Sequence, residues 1–275
     1  MLKRVLTGTA LILIVAIFFA LRLVRTEFFD GLIMVMAIMG VVEMTKVLGD
    51  RINLSNKILV IAFAPIAIGF AVFLRAYLFY LIVGYTLLVV AVTLFIAKGD
   101  FALKFSYSLL CLFYPTIPLV FMSLINAMGD FSAFALCSLI LTTFFTDVFA
   151  FLVGSRLKGA KLCEKISPNK TVSGAVGGLI GGIIANVLVL CAFEAFNVSP
   201  FVTVDFATVL IYMLLTGVVF SVATQFGDLV ESAIKRSLGV KDMGNILPGH
   251  GGMLDRVDGL IINAVVVFSI YSFLV

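Results

Sequence analysis

Long uninterrupted runs of apolar residues most constrain what this chain can fold into. Several of them exceed the roughly 18 residues that mark a membrane-spanning helix. The 275-residue chain is 63% hydrophobic, with a mean hydropathy of +1.24, whereas a soluble domain is about 45–50% apolar. Because backbone groups in hydrocarbon must pair within their own segment, the runs predict helices. We therefore expect an all-α, polytopic integral membrane protein, since a transmembrane barrel would show short alternating strands instead.

The apolar runs predict about nine transmembrane helices, and the distribution of basic residues tests that number. With nine segments, 16 of the 19 lysines and arginines fall on loops of one side, whereas Arg22, Arg25 and Arg75 fall on the other. The positive-inside rule then places the N-terminus in the cytoplasm. A count of eight or ten would spoil this separation. The predicted segments are residues 5–24, 28–48, 58–74, 76–97, 105–126, 131–153, 174–196, 206–226 and 259–275.

Ionisable residues are concentrated between the last two apolar runs, from Gly227 to Asp258, although only 12% of the whole chain is charged. This stretch also holds the only histidine, His250. In the nine-segment topology, several carboxylates fall near the cytoplasmic ends of their segments. Ionisable residues at such positions are costly to bury and are functional candidates by default. These carboxylates are Glu43, Asp147, Asp228, Asp255 and Asp258.

The first part of this charged stretch has the spacing of a helix. If residues 227–237 continue the preceding helix, Asp228, Glu231 and Lys235 share one face. Two carboxylates on one face suit a hard cation such as magnesium, and Lys235 beside Arg236 suits phosphate oxygens. A solvated amphipathic helix with internal ion pairs is the alternative, and the spacing alone does not decide between the two.

The second part combines glycines, a histidine and two aspartates. Three glycines around His250 allow backbone amides to line a phosphate. Asp255 and Asp258 are three residues apart at the start of a predicted helix, so they point to the same side. They complete a metal site or cap the last membrane segment. For His250, an ordinary loop histidine is the alternative.

A basic loop precedes the seventh segment. Ser167, Lys170 and Thr171 stand just ahead of a helix N-terminus, and such a terminus favours bound anions. The alternative is an ordinary positive loop on the cytoplasmic side. The segment itself opens with glycines three and four residues apart, from Gly174 to Gly182. This spacing favours close helix packing over a phosphate site, because the run is apolar and inside the membrane.

Three pieces of the sequence match the motifs of one enzyme family. Residues 232–258 contain Lys-Arg, Lys-Asp and then His-Gly-Gly-Met-Leu-Asp-Arg-Val-Asp. Gly-Asp-Leu-Val-Glu-Ser stands at 227–232, and Ser-Pro-Asn-Lys-Thr at 167–171. These pieces closely resemble the phosphatidate cytidylyltransferases (CDP-diacylglycerol synthases). The chain departs from that family after Asp147, where members commonly read Asp-x-Gly-Ala-Tyr and this chain has neither the glycine nor the tyrosine.

The resemblance implies a membrane enzyme of phospholipid biosynthesis. It would transfer the cytidylyl group of CTP to phosphatidic acid, giving CDP-diacylglycerol and pyrophosphate. Magnesium is the implied cofactor, with a second cation left open, and its implied ligands are Asp228, Asp255 and Asp258. Lys235 and Arg236 join Asp228 and Asp255 in the implied catalytic set. The residues implied to bind CTP or its phosphates are Ser167, Lys170, Thr171, Asp147, His250 and Arg256.

The resemblance also implies a setting for this chemistry. We expect a bacterial inner membrane, a site facing the cytoplasm, a homodimer and no nucleic-acid partner. Within one continuous membrane domain, residues 131–275 would form the catalytic helices, with cytoplasmic loops 154–173 and 227–258. Residues 1–130 would form a lipid cavity or the dimer interface.

Two rival activities remain open at this point. A CTP-dependent polyprenol or dolichol kinase would release CDP instead of pyrophosphate. A transporter predicts charges near the bilayer midplane and internal repeats, whereas here the charges gather towards one side and no repeat is evident. An isoprenoid ether analogue of phosphatidic acid is an alternative lipid acceptor.

Overall fold

A computed structural model describes residues 2–96, 100–249 and 251–274, with side chains from Leu6 onwards. His250 and Lys98 lie outside the described residues, as do the side chains of Lys3 and Arg4. The described chain is mostly helix, with a single two-stranded sheet. The prediction of an all-α membrane protein is therefore confirmed.

Seven segments of the described chain are long and apolar enough to cross a membrane. They correspond to the second through eighth predicted segments. Within the residues whose side chains are described, the first predicted segment is represented by the apolar helix Leu6–Leu21, and the last is not among the seven. The count of nine and the cytoplasmic N-terminus stay predictions. The seven are Glu27–Arg51, Leu54–Phe73, Arg75–Ile96, Phe101–Asn126, Phe131–Leu157, Val172–Ala195 and Phe206–Leu238.

The chain divides into two compact units. The first unit comprises residues 1–127 and 238–257, and the second comprises residues 128–237 and 258–275. The helices of the first unit are α1 (Leu2–Leu21), α2 (Glu27–Leu48), α3 (Leu54–Phe73), α4 (Leu78–Ile96), α5 (Phe101–Phe113) and α6 (Thr116–Asn126).

One predicted segment of the first unit, 105–126, consists of two helices. The helix α5 ends at Phe113 and α6 begins at Thr116. Pro115, at the junction, has no backbone N–H to donate to the preceding turn, and its ring crowds that turn. Hydropathy does not reveal this break, because both helices are apolar.

A buried polar cluster ties α2 to α6 in the first unit. The carboxylate of Asp30, which is 6% exposed, accepts hydrogen bonds from Ser123 Oγ at 2.6 Å and Asn126 Nδ2 at 2.9 Å. Arg22, just beyond α1, donates from Nε to Asn126 Oδ1 at 2.7 Å. These donors offset the cost of burying a carboxylate among apolar side chains.

The second unit is built on α7, α8, most of α9 and most of α10. A short antiparallel hairpin connects α7 to α8, in the loop that the sequence left without secondary structure. The boundary between the units falls within α10, after Val257. The element bounds are α7 (Phe131–Leu157), β1 (Lys161–Cys163), β2 (Ser167–Thr171), α8 (Val172–Ala195), α9 (Phe206–Leu238) and α10 (Leu254–Tyr271).

The glycines of α8 form the surface that packs on its neighbours. A Cβ atom added to Gly181 would lie 2.6 Å from the Cβ of Phe149 on α7, and one on Gly182 would lie 2.7 Å from the Cβ of Ser221 on α9. Real Cβ atoms do not approach so closely, so these backbones touch only because the side chains are absent. The packing interpretation of this glycine run is confirmed.

We predict that the same substitution has opposite effects at two helical glycines. Gly181→Ala should destabilise the protein by about 1–3 kcal/mol, because a methyl group is forced into a filled space. Gly84→Ala, on α4, should be neutral or stabilise by up to about 1 kcal/mol, since nothing lies within 4 Å of its added Cβ. Thermal unfolding midpoints in detergent measure both, and shifts of equal sign and size would contradict the packing account.

Candidate active site

The helix α9 continues without a break to Leu238, beyond the predicted end of its segment at residue 226. The condition under which Asp228, Glu231 and Lys235 share one face is therefore met. On this face, Lys235 Nζ lies 2.5 Å from Glu231 Oε2, one turn away. Ser232 Oγ donates to Asp228 Oδ1 at 3.4 Å. Glu231 is fully buried, so its contact with Lys235 is an internal ion pair rather than a solvated surface pair.

The hairpin brings a basic residue to the aspartate of α9. Lys170 Nζ, from β2, lies 2.5 Å from Asp228 Oδ2. Arg236 Nε donates to the carbonyl of Ile166 at 3.3 Å and so attaches the hairpin turn to α9. The sequence singled out Lys170 and Asp228 separately, and nothing in their spacing predicts this pairing.

A second carboxylate, that of Asp258, belongs to the same group of charges. The pKa of Asp258 is raised to about 6, first by burial and then by the negative charge of Asp228, while Gly259 N–H, Lys235 and Lys170 partly offset this rise. The N–H of Gly259 donates to Asp258 Oδ1 at 2.8 Å. We call Lys170, Asp228, Lys235 and Asp258 the charged cluster.

Close approach of α9 and α10 allows this cluster to form. A Cβ atom added to Gly227 would lie 2.6 Å from the carbonyl oxygen of Asp258. Any side chain at residue 227 would therefore push the two helices apart. The glycine before Asp228 thus has a packing role at the point where the two carboxylates come near each other.

The charged cluster suits a divalent cation that arrives with a phosphate ligand. After burial, the negative charge of Asp228 is the second cause of the raised pKa of Asp258, and a cation would offset the repulsion between the two carboxylates. Magnesium is usually held by one or two carboxylates together with substrate phosphates and water. The described residues contain no group of three or more histidine, cysteine or carboxylate side chains placed to hold a metal by themselves.

Asp255 and Glu43 organise a loop of the first unit. We call residues 243–249 and 251–253 the glycine loop. Asp255 Oδ2 accepts the N–H of Met243 at 2.8 Å and that of Gly252 at 2.9 Å. Glu43, from α2, accepts the N–H of Met253 at 2.8 Å and that of Leu254 at 3.0 Å, one on each carboxylate oxygen.

Sequence reasoning grouped Glu43 with the other carboxylates but gave it no role. The available signal was its position as an acidic residue near the end of an apolar helix, with only Lys46 of opposite charge close by in sequence. Position along the chain could not identify its partners, because the glycine loop lies far away in sequence. The partners are backbone amides, which no residue type reveals.

A polar pocket of about 570 Å³ opens on the glycine loop in the first unit. Basic groups and flexible backbone share its wall, which is the composition expected for binding an anion. Gly249 and Gly251 have positive φ values of 79° and 81°, a conformation that glycine adopts without strain. The pocket is lined by Lys241, Asp242, Gly244, Asn245, Leu247, Gly249, Gly251 and Arg256.

Of the other predicted site residues, Thr171 and Ser167 have local structural contacts, whereas Asp147 and Arg256 are exposed. Thr171 Oγ1 accepts the N–H of Gly174 at 3.1 Å and caps the N-terminus of α8. Ser167 pairs with Cys163 in the hairpin. Asp147 is exposed on α7, and Arg256 is exposed on α10.

The chain is similar in sequence to known phosphatidate cytidylyltransferases. A phosphatidate cytidylyltransferase of Brucella abortus biovar 1 (strain 9-941) is 36% identical over 157 residues, which cover 57% of this chain and 54% of that protein. One of Bacillus subtilis (strain 168) is 45% identical over 116 residues, covering 42% of this chain and 39% of that protein. The chain thus spans about half the length, or less, of the curated relatives that it matches.

The model of the Cytidylyltransferase family matches residues 2–274. This match includes the charged cluster, the glycine loop and every described helix. The chain belongs to the Cytidylyltransferase family.

Proposed function

We propose that this protein transfers the cytidylyl group of CTP to phosphatidic acid, forming CDP-diacylglycerol and pyrophosphate. The observation that carries the proposal is the charged cluster, in which two carboxylates and two lysines meet at the end of an apolar helix. Family membership and the activity for which the relatives are named support the same chemistry. A lipid phosphate and a water-soluble nucleotide would meet where charge borders apolar surface.

The proposed reaction needs alignment and charge stabilisation more than covalent groups from the protein. Lys170 and Lys235 would bind phosphate oxygens, and Arg236 would assist them. A phosphate monoester is already ionised near neutral pH, so phosphatidic acid needs no general base. One of its oxygens attacks the α-phosphorus of CTP, and the bond from that phosphorus to the bridging oxygen of pyrophosphate breaks.

In this proposal magnesium is held by Asp228 and Asp258. When bound, it supplies Lewis-acid stabilisation of negative charge on the phosphates of CTP. Asp255 keeps its predicted role as a further ligand, although its Oδ2 accepts two backbone N–H groups. The second cation stays a prediction. Arg256, on the wall of the polar pocket, would contact CTP, and His250 keeps the same predicted role.

The proposed setting is a bacterial inner membrane, with nine spans and the charged cluster facing the cytoplasm. In this topology 16 of the 19 basic residues fall on the side assigned to the cytoplasm, which supports the orientation. The homodimer, and a lipid cavity or dimer interface in residues 1–130, stay predictions of the resemblance.

A product assay tests the reaction. Purified protein with α-labelled CTP, phosphatidic acid and magnesium should give labelled lipid and pyrophosphate, and EDTA should abolish both. Release of CDP with a polyprenol acceptor, and no labelled lipid, would contradict the proposal and favour the kinase. Phosphatidic acids with ester-linked and ether-linked chains, compared in the same assay, distinguish the lipid acceptors.

We predict that Asp228→Asn lowers the rate of label transfer by roughly 100-fold or more, because the cluster loses a charged ligand. Asp205→Asn, immediately before the same helix, is the matched control. Its exposed side chain caps the start of α9 by accepting the N–H of Thr208 at 3.0 Å, and asparagine caps equally well. Equal rates in the two variants would remove Asp228 from the mechanism.

We predict that Asp258→Asn abolishes transfer yet raises the unfolding midpoint at pH 7 in the absence of divalent cations. Asp258 has a pKa raised from 3.8 to about 6 in the folded protein, so it releases its proton more readily in the unfolded chain. Its ionisation therefore costs stability between these pH values. The difference in midpoint between variant and wild type should vanish near pH 4 and be complete above about pH 6.

Magnesium provides the complementary measurement for Asp258. It should raise the midpoint of the wild-type protein more than that of Asp258→Asn, because a cation relieves the repulsion between the carboxylates. A variant that is less stable than wild type at pH 7 without cations would contradict this account of the cluster.

A further inference from the structure

Glu43 lies near the C-terminal end of α2 and is 1% exposed. Its neighbours along the helix, Val41 and Met44, are buried apolar residues. An ionised carboxylate in such a place is costly unless hydrogen bonds replace its lost water. The hydrogen bonds of Glu43 therefore indicate its structural role.

Both oxygens of Glu43 accept backbone N–H groups at the start of α10. Oε1 accepts from Met253 at 2.8 Å and Oε2 from Leu254 at 3.0 Å. The first N–H groups of a helix have no partner within the helix, and they carry the positive end of its dipole. A carboxylate from α2 thus supplies a cap that the sequence around residue 253 does not provide by itself.

The glycine loop packs directly against this carboxylate. A Cβ atom added to Gly244 would lie 2.6 Å from Glu43 Oε1, and one added to Gly252 would lie 2.5 Å from Oε2. No side chain fits at either residue without displacing Glu43. These two glycines, from opposite ends of the loop, therefore share one fixed contact.

A short chain of contacts connects Glu43 to the wall of the polar pocket. The N–H of Met253 donates to Glu43, and the carbonyl of Met253 accepts the N–H of Arg256 at 3.0 Å. Gly252, which packs on Glu43, donates its N–H to Asp255 at 2.9 Å. Gly244 and Arg256 both line the pocket, so Glu43 lies behind that wall without belonging to it.

We propose that Glu43 is a positioning residue. It fixes the glycine loop and the first turn of α10, so that Arg256 and the loop amides are ordered before CTP binds. It does not touch substrate itself. This inference rests on the proposed function only in assigning Arg256 to CTP, whereas the ordering of the loop is a property of the protein alone.

The test uses Glu43→Gln in the full-length protein, because glutamine keeps nearly the same volume. Its amide group presents N–H donors where one carboxylate oxygen accepted, so one backbone N–H loses its partner. The KM for CTP should rise by between about 10-fold and 100-fold. The KM for phosphatidic acid should change far less.

Hydrogen exchange without substrate tests the ordering independently of activity. The amides of the glycine loop and of Leu254 should exchange faster in Glu43→Gln than in the wild-type protein. Asp30→Asn is the matched control, since it alters another buried carboxylate of α2 that bonds Ser123 and Asn126 instead. It should lower the unfolding midpoint while leaving loop exchange and the KM for CTP unchanged.

Each result bears on the proposal. Wild-type loop exchange together with a wild-type KM for CTP in Glu43→Gln would overturn it. Equal loosening of the loop in Asp30→Asn would also overturn it, because the effect would then be general destabilisation. If the wild-type protein transfers no label from CTP, the proposed function fails. Faster exchange confined to Glu43→Gln would still establish the ordering role.

Discussion

The cost of burying a carboxylate among apolar helices is the constraint on which the rest of this structure depends. Asp30 and Glu43 lie on the same apolar helix and satisfy that constraint in different ways. Asp30 takes its donors from side chains of α6, and so ties helices together. Glu43 takes its donors from backbone N–H groups, and so determines the path of a loop. In each case the need for hydrogen bonds converts a costly residue into a specific tertiary contact.

Glycine has a complementary role, because its lack of a side chain lets its backbone come close to another backbone or to a carboxylate. On α8 the result is close helix packing, as the contact of Gly181 with Phe149 indicates. At Gly227 the same closeness brings Asp228 and Asp258 near each other, and at Gly252 it places the loop against Glu43. One residue type thus has a structural role in one segment and supports the candidate site in others, and only the neighbouring side chains distinguish these roles.

The candidate site shows which structural features the residue pattern predicts and which it does not. If residues 227–237 are helical, their spacing places Asp228, Glu231 and Lys235 on one face, and α9 does extend to Leu238. Asp255 and Asp258 stand at a helix start, as predicted. Both features are local, because they depend on the 3.6-residue period. The ion pair of Lys170 with Asp228 and the contact of Glu43 with Met253 join residues from separate elements. Such contacts depend on how helices pack, which leaves no periodic signal in the chain.

The sequence by itself determined the surrounding medium, the type of element and the segments in which ionisable residues are concentrated. Hydrocarbon permits only internally paired backbone, so long apolar runs had to be helices, and ionisable residues, which are costly in lipid, are concentrated between them. Tertiary structure alone decided which charges meet. It also divided the long apolar run at Pro115 and directed Asp255 and Glu43 to the amides of the glycine loop. The reason is physical: hydropathy is a property of each residue, whereas a hydrogen bond depends on where two residues stand in space.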